Sequence, residues 1–119
     1  MKARSCLITI VLLLYVGVFV CACAKAAPPV IRDFGPTKTK AGQQFNVSNG
    51  TSAIWIKADN VTKDTVIVWG DRKVPSFKES YGISAPIPRE LYSKPGQYKL
   101  YLLDTRTGDK SNSVVFTVE

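Results

Sequence analysis

Apolar and polar residues alternate over short stretches along most of this chain, which is the spacing of β-strands with one face in a core. Two such stretches, "GQYKLYLLD" and "SNSVVFTVE", flank the polar turn "TRTGDK" and predict a β-hairpin. Alternation places one set of side chains on the core side of this hairpin: Tyr98, Leu100, Leu102, Val114, Phe116 and Val118. The hairpin is therefore expected to have one buried face and one face in water.

Further β-rich stretches precede this hairpin and are separated by Gly, Pro, Asn and Asp. "VIRDF" predicts a first strand, and "SAIWIK" (52–57) and "TVIVW" (65–69) predict two more. "YGISAPIP" predicts an edge strand, because Pro86 and Pro88 cannot donate hydrogen bonds to a neighbour. With no helical spacing over three turns after Pro28, the pattern predicts about seven strands in a two-sheet β-sandwich, with an open barrel as the alternative.

The start of the chain has a different pattern, which is typical of a secretory signal. Lys2 and Arg4 supply positive charge, residues 6–24 include no charged side chain, and small residues cluster at the end of that run. A run of this length can also span a bilayer without being cleaved. Because the basic residues favour keeping the first end inside, each alternative places the rest of the chain outside the cytoplasm.

Two processing routes fit the end of this segment. "VCAC", residues 20–23, resembles the bacterial lipobox, which ends in a cysteine that is acylated and becomes the new first residue. This resemblance makes Cys23 the candidate lipid-attachment residue of a membrane-anchored lipoprotein. A general signal peptidase could instead cut after Ala24 or Ala26, since small side chains stand one and three residues before both cuts. We place lipidation first, simple secretion second and a retained signal anchor third.

These features divide the chain into three parts: a signal peptide or signal anchor over residues 1–23, a short Ala/Pro linker over 24–29, and a β-sandwich over 30–119. The three cysteines, Cys6, Cys21 and Cys23, all lie in the first part. The sandwich therefore has no disulfide and is held together by its core alone, which about 90 residues of β-structure can provide.

The order of motifs along the body of the chain resembles that of a known family. An opening strand with a proline turn is present as "VIRDFGPTKTKAG", and two strands around a polar loop, ending in an aromatic-Gly pair, as "SAIWIKADNVTKDTVIVWG". "ISAPIP" is similar to an "ITATVP" segment, and "SNSVVFTVE" to a closing strand. With these motifs residues 29–119 resemble the IPT/TIG family, which implies an immunoglobulin-like β-sandwich. The chain departs from the pattern at Pro86 and in lacking a Gly-Gly pair near Gly42.

The composition argues against an enzyme. The sequence has no histidine, and its cysteines lie outside the body, so the commonest general base, metal ligands and thiolate nucleophile are missing there. Acidic residues lie in turns such as "DNVTKD" and "DTRTGD", where Asp and Asn usually bond to their own backbone. We therefore predict no catalytic residue, metal site or cofactor. Asn-X-Ser/Thr triplets begin at Asn46, Asn49 and Asn60, and we attribute them to polar turns rather than to glycosylation.

Aromatic side chains are the candidates for ligand contact. Trp55 lies within a strand and is predicted to be core. Trp69 stands at a strand end, where a core position is favoured but a ring could also face a loop. Tyr81, Tyr92 and Tyr101 are expected at the surface, two in loops and one on the polar face of a strand. The candidate contact residues are Trp69, Tyr81 and Tyr92.

The body is moderately basic, with fourteen basic residues against nine acidic ones once Lys2 and Arg4 are set aside. It has no arginine-rich run and no interleaving of basic and aromatic residues, so nucleic acid is not the expected partner. A basic domain outside the cytoplasm would be attracted to anionic lipid headgroups, lipopolysaccharide or acidic glycans.

Together these features predict a non-catalytic interaction module of the cell envelope or extracellular space, making protein contacts or serving in adhesion. The alternative is a carbohydrate-binding module that stacks a sugar on exposed aromatic rings. Membrane contact is expected through the lipid or the signal anchor.

Overall fold

The structure is a computed structural model that describes residues 27–119. The predictions for the signal segment, its cleavage and the lipid on Cys23 lie outside the described residues. The described part has nine strands and one short 3₁₀ turn at Arg89–Leu91. The strands are β1 (Val30–Gly35), β2 (Lys38–Thr39), β3 (Ser52–Asp59), β4 (Thr65–Trp69), β5 (Arg72–Val74), β6 (Phe77–Glu79), β7 (Gly82–Ile87), β8 (Gly96–Asp104) and β9 (Val114–Val118).

The strands form two sheets. Five strands make the first, in the order β2-β9-β8-β4-β5, and four make the second, in the order β1-β3-β7-β6. Neighbours are antiparallel except β2 and β9, which run parallel. Without the short strands β2 and β5, the two sheets have three and four strands, in the same neighbour order as the two sheets of the immunoglobulin fold. The predicted immunoglobulin-like sandwich is therefore confirmed. Within residues 27–119 there is no helix that could serve as a membrane span.

The C-terminal hairpin has the buried face that its alternation predicts. β8 and β9 pair antiparallel, with Phe116 opposite Tyr98 and Val114 opposite Leu100. Leu100, Leu102 and Phe116 are fully buried, and Tyr98 and Val114 pack against the same core. The period of two along each strand therefore places these side chains between the sheets.

The prediction that "YGISAPIP" is an edge strand is wrong. Residues 82–87 form β7, which lies between β3 and β6 inside the four-stranded sheet. β6 pairs only with Gly82, Ile83 and Ser84, so Pro86 lies beyond the end of that neighbour. On the other side Pro86 is opposite Ala53 of β3. Proline is accommodated in an interior strand because one of the two neighbours has already ended.

Aromatic rings form a continuous chain of contacts through the core. In order, the rings are those of Tyr92, Phe45, Phe116, Trp69 and Tyr98, with successive centroids 5.0, 5.1, 4.9 and 6.0 Å apart. Aromatic pairs at such separations are favourable by about 0.5–1.5 kcal/mol beyond the area that they bury. Phe45 and Tyr92 belong to two of the five connections that cross from one sheet to the other, β2–β3 and β7–β8. The aromatic chain therefore packs these two connections against rings of the five-stranded sheet.

Hydrogen bonds hold both ends of the aromatic chain. The Tyr92 hydroxyl shares a buried hydrogen bond of 2.9 Å with Oγ of Ser52, which also accepts a bond from the Phe45 amide. At the other end the Tyr98 hydroxyl donates to the Lys94 carbonyl at 2.7 Å. A tyrosine near the start of this strand that bonds back to the preceding turn is a feature of immunoglobulin-like sandwiches. The rings are therefore fixed by polar as well as apolar contacts.

One side chain covers part of the open edge of β1. The Asn112 carboxamide accepts a hydrogen bond from the Ile31 amide at 2.8 Å and donates one to the Ile31 carbonyl at 3.2 Å. These are the two bonds that a neighbouring strand would make at this residue. Asn112 therefore takes the place of a strand partner at one position of an exposed edge.

Asp104 fixes the turn between β8 and β9. Its Oδ1 accepts hydrogen bonds from the amides of Arg106 and Thr107 at 2.9 and 3.2 Å, and its Oδ2 accepts one from the Thr62 hydroxyl at 3.1 Å. Burial raises the pKa of Asp104, but these hydrogen bonds and the Arg106 guanidinium outweigh burial, so the pKa lies below the usual value. The folded protein therefore favours the ionised carboxylate.

Removing the Tyr92 hydroxyl is expected to lower the free energy of unfolding by about 1 kcal/mol, because the Ser52 hydroxyl loses a buried partner while the ring contacts remain. Urea denaturation of the Tyr92→Phe variant, followed by circular dichroism, measures this change. Tyr101→Phe is the control, since Tyr101 lies on the outside of β8 and its change is expected to stay within about 0.5 kcal/mol. Equal midpoints for the two variants would contradict the role of the Tyr92 hydroxyl.

The free energy of unfolding is expected to fall as the pH drops below the ordinary aspartate pKa of about 3.9, because Asp104 in the unfolded chain then takes up a proton that the folded state resists. This contribution is complete above that pH and is lost as the pH falls through the lower, folded-state pKa. Urea midpoints measured from neutral to acid pH test it. Asp104→Asn should flatten the acid limb of the profile, and parallel profiles for variant and wild type would argue against it.

Candidate functional site

Two of the three predicted contact residues are buried. Trp69 has 2% of its surface exposed and Tyr92 has 1%. The core position favoured for Trp69 is confirmed, whereas the expectation of Tyr92 at the surface is wrong. The Tyr92 ring packs edge-on against Phe45 and bonds to Ser52, because the turn after β7 directs it inward. Tyr81 is 41% exposed, so it lies at the surface as expected.

Trp55 lies on the outside of the four-stranded sheet, and the prediction that it belongs to the core is wrong. The flanking residues Ile54 and Ile56 are fully buried. Since successive side chains of a strand point to opposite faces, Trp55 must point away from the core. Its indole lies over Gly35 of β1, where a Cβ atom would stand 2.4 Å from Cζ2 of the ring. Because Gly35 has no side chain, the indole can pack closely over this position.

Trp55 belongs to a row of paired residues that crosses the four-stranded sheet. Gly35 of β1 pairs with Trp55, Trp55 pairs with Ser84 of β7, and Ser84 pairs with Phe77 of β6. Directly paired residues of antiparallel strands project from the same face. The outer face therefore presents an indole, a hydroxyl and a phenyl ring side by side, and Phe77 is 60% exposed.

A shallow groove of about 560 Å³ lies on this outer face. Its lining includes two aromatic and four polar side chains, those of Trp55, Tyr81, Asn46, Ser48, Lys57 and Ser84. We call it the Trp55 groove. Its volume falls in the range of about 300–1,000 Å³ that is usual for small-ligand sites, and its mixture of apolar and hydrogen-bonding groups is also usual for them.

Polar contacts orient two of the groove side chains. Oγ of Ser84 donates a hydrogen bond to Oε2 of Glu79 at 2.7 Å, so the lone pairs of the Ser84 hydroxyl remain available to a ligand donor. Nζ of Lys57 lies 5.9 Å from the centroid of the Trp55 ring, within the range of a cation–π contact. The groove therefore offers a donor at Lys57 and an acceptor at Ser84 next to the indole.

Tyr81 is brought to the groove by the close approach of β7 to β3. The Tyr81 carbonyl accepts a hydrogen bond from the Ala58 amide at 3.1 Å. The next residue, Gly82, has a φ of 151°, and a Cβ atom there would stand 2.2 Å from the Ile56 carbonyl oxygen. Only glycine fits such a position. Gly82 therefore allows the turn before β7 to place Tyr81 beside Trp55.

The three asparagines of the Asn-X-Ser/Thr triplets share a backbone conformation. Asn46, Asn49 and Asn60 have φ values of 43°, 53° and 64°, a left-handed region that Asn adopts more readily than most residues. Nδ2 of Asn46 donates to the Ala53 carbonyl, and Nδ2 of Asn60 donates to the Pro28 carbonyl. Turn geometry therefore accounts for asparagine at these positions without a glycan.

Acidic side chains in the turns have partners within the fold. Asp59 forms an ion pair with Arg32, and Oδ2 of Asp64 lies 3.5 Å from Nζ of Lys63 and 3.7 Å from Nε of Arg106. Between residues 27 and 119, no group of three His, Cys, Asp or Glu side chains is placed to hold a metal ion. These carboxylates are therefore engaged by basic side chains of the fold.

Trp55 and Phe77 are aromatic residues on the outer face of the four-stranded sheet that the sequence pattern did not assign to the surface. The alternation does indicate the position of Trp55. In a strand, a residue between two isoleucines points to the face opposite both of them, so buried isoleucines place Trp55 on the outside. Phe77 lies in a strand of three residues, which is too short for alternation to show. Its position beside Trp55 becomes visible only through the pairing of β6 with β7 and of β7 with β3.

The fold does not by itself define a ligand, because immunoglobulin-like sandwiches support many unrelated functions. The chemistry of the Trp55 groove is therefore the basis for assigning one. No protein-family model, curated protein or solved structure matches this chain.

Proposed function

We propose that this chain is a non-catalytic interaction module that acts outside the cytoplasm and binds a glycan in the Trp55 groove. The observation that supports this proposal is the arrangement of aromatic rings and hydrogen-bonding groups on one rigid sheet face. A ligand site built on strands holds its geometry better than one built on loops.

Sugar chemistry matches this arrangement. A pyranose ring has a face of C–H groups, which packs against an aromatic ring, and a rim of hydroxyls, which require donors and acceptors. The indole of Trp55 supplies a flat apolar surface that is fixed over Gly35. Lys57 and Ser84 supply a donor and an acceptor at the edge of that surface, and Asn46 lines the same groove. This combination favours a ligand that is apolar on one face and polar around its edge.

Binding without cleavage is the corresponding chemistry. Glycoside hydrolysis uses two carboxyl groups placed on either side of the bond that is cut. Among the described residues, those that line the groove include neither Asp nor Glu. Glu79 stands beside the groove and accepts a hydrogen bond from Ser84. We therefore assign Glu79 a supporting role and propose no reaction at this site.

A protein partner is the second candidate, and the apolar surface beside the groove favours it. Phe77 is largely exposed, and Val47, which lies between two groove residues, is 54% exposed. Exposed phenyl and aliphatic side chains next to tryptophan and tyrosine are typical of the centre of a protein interface. In this case the same face would accept an apolar protein surface in place of a sugar.

We further propose that the chain is exported with lipid on Cys23 and that it is an IPT/TIG-like domain. The first proposal is supported by the basic start, the uncharged run over residues 6–24 and the lipobox-like residues 20–23. The second is supported by the order of motifs over residues 29–119. The attached lipid would hold the module at the membrane while the groove contacts its ligand.

Trp55→Ala is expected to weaken glycan binding at least about 10-fold, because loss of a stacking ring removes roughly 1.5 kcal/mol. A glycan array identifies the oligosaccharide, and titration calorimetry with that compound measures the affinity. Gly35→Ala should also weaken binding although the indole is kept, because the added Cβ displaces the ring from its position over residue 35.

Tyr101→Ala is the matched control for this measurement, because Tyr101 lies on the outside of the other sheet and should leave the affinity unchanged. Wild-type affinity in Trp55→Ala would exclude the groove as the glycan site. No signal on the array, together with a crosslinked protein that is lost in Phe77→Ala, would favour the protein partner instead.

Cys23→Ser is expected to abolish fatty-acid labelling of the exported protein and to slow its processing, because the acylated thiol is missing. Metabolic labelling with palmitate, followed by mass spectrometry of the mature first residue, measures both effects. Cys21→Ser is the control and should keep the label. A mature protein that begins at Lys25 or Ala27 would show simple secretion.

A further inference from the structure

The outer face of the five-stranded sheet has a different chemistry from the groove face. Strand pairing and burial place four lysines on it: Lys38, Lys73, Lys99 and Lys110. The first three stand in strands β2, β5 and β8, and Lys110 joins β8 through a bridge to Leu103. From β2 to β5 the face is four strand spacings wide, which is roughly 19 Å. We call this surface the lysine face.

Acidic residues are missing from the outward positions of these five strands. Glu119, which follows β9, lies 3.7 Å from Nζ of Lys38, and the other three lysines form no ion pair within residues 27–119. The outer face of the four-stranded sheet differs, because there Lys57 stands in one row with Asp33 and Glu79. The positive charge is therefore concentrated on one side of the sandwich.

Apolar groups lie between the lysines. Tyr101 and the exposed Val115 occupy outward positions of β8 and β9, and Nζ of Lys110 is 5.6 Å from the centroid of the Tyr101 ring. Val68 also points outward, opposite Tyr101 and Lys73, yet it is buried. Its cross-strand neighbours Tyr101 and Lys73 carry a ring and a methylene stem, which are apolar groups that can cover a side chain at this position. The lysine face therefore combines an apolar base with amino groups at its surface.

We propose that the lysine face docks on an anionic lipid bilayer. Lysine ammonium groups attract lipid phosphates, and each lysine near an anionic membrane strengthens binding by about a factor of five. Tyrosine and aliphatic side chains between the lysines suit the boundary between headgroups and acyl chains. An anionic membrane surface is broad, as this five-stranded face is, and it matches both kinds of side chain.

The proposed lipid on Cys23 would place a bilayer within reach of the sandwich. The uncharged run over residues 6–24 ends just before the described part begins, and the linker over 24–29 can span at most about 20 Å. The two sheets of a sandwich are only about 10 Å apart, so this tether is long enough for the sandwich to lie on its five-stranded sheet. In that orientation the Trp55 groove, on the opposite sheet, faces away from the membrane.

Vesicle binding tests the proposal with residues 27–119, which contain both sheets and the core cluster between them. The fragment should bind vesicles of phosphatidylcholine with phosphatidylglycerol but not vesicles of phosphatidylcholine alone. Lys73→Gln with Lys99→Gln should lower the partition coefficient about 25-fold, a factor of about five for each lysine. Circular dichroism of each variant verifies that the fold is intact.

A second double variant, Lys63→Gln with Lys78→Gln, has the same net charge but changes lysines outside the lysine face. It should lower binding less than about threefold, because neither lysine belongs to the face that is proposed to contact the lipid, and salt screens charges that do not approach it. Equal losses in the two double variants would overturn the proposal, since net charge alone would then explain binding. Failure to bind anionic vesicles would also overturn it, and binding of soluble heparin in that case would identify an acidic polysaccharide as the partner.

Discussion

The aromatic chain that runs from Tyr92 to Tyr98 is the contact on which the sandwich depends, because it packs two of the connections between the sheets, β2–β3 and β7–β8, against rings of the five-stranded sheet. Its four ring pairs supply roughly 2–6 kcal/mol beyond the area that they bury. Removal of a native disulfide typically costs about 2–5 kcal/mol, so the rings are of comparable strength. Antibody domains have their second core cysteine two residues after the corner tyrosine. In this chain that position is Leu100, which is fully buried among apolar neighbours.

The two-residue period of the strands explains why the sandwich has two different outer faces. Filling the core uses every second residue, and packing places few demands on the residues between them. One outer face holds Trp55 over Gly35 beside Ser84 and Phe77. The other holds lysines above an apolar base. The two proposed contacts, with a glycan and with a membrane, would therefore lie on opposite sides of one sandwich.

Much of the fold was predictable from the sequence, because alternation is strong in the long strands. The buried face of the C-terminal hairpin and the core position of Trp69 follow from local pattern. Trp55 was wrongly predicted to be core because a large aromatic residue is usually buried, and that average outweighed the alternation around it. Tyr92 was wrongly predicted to be exposed because it follows a turn, and the direction of a turn is not encoded in any local period.

The candidate site was less predictable than the fold, because its residues come together only through sheet pairing. Phe77 lies 22 positions from Trp55 in the sequence, and the two become neighbours through Ser84 on the strand between them. The error over β7 had the same origin. The prolines predicted an edge strand. Whether a proline conflicts with a neighbouring strand depends on how long that neighbour is, and here the neighbour, β6, has only three residues.

The two hydrogen bonds between Asn112 and Ile31 limit how two copies of this sandwich can join edge to edge. An additional strand that approaches β1 must first displace the Asn112 carboxamide before it can form a continuous ladder. One amide group therefore interrupts the growth of the sheet from one molecule into the next. A protein held at high density on a surface benefits from such an interruption, since crowding then brings sandwiches side by side without joining their sheets.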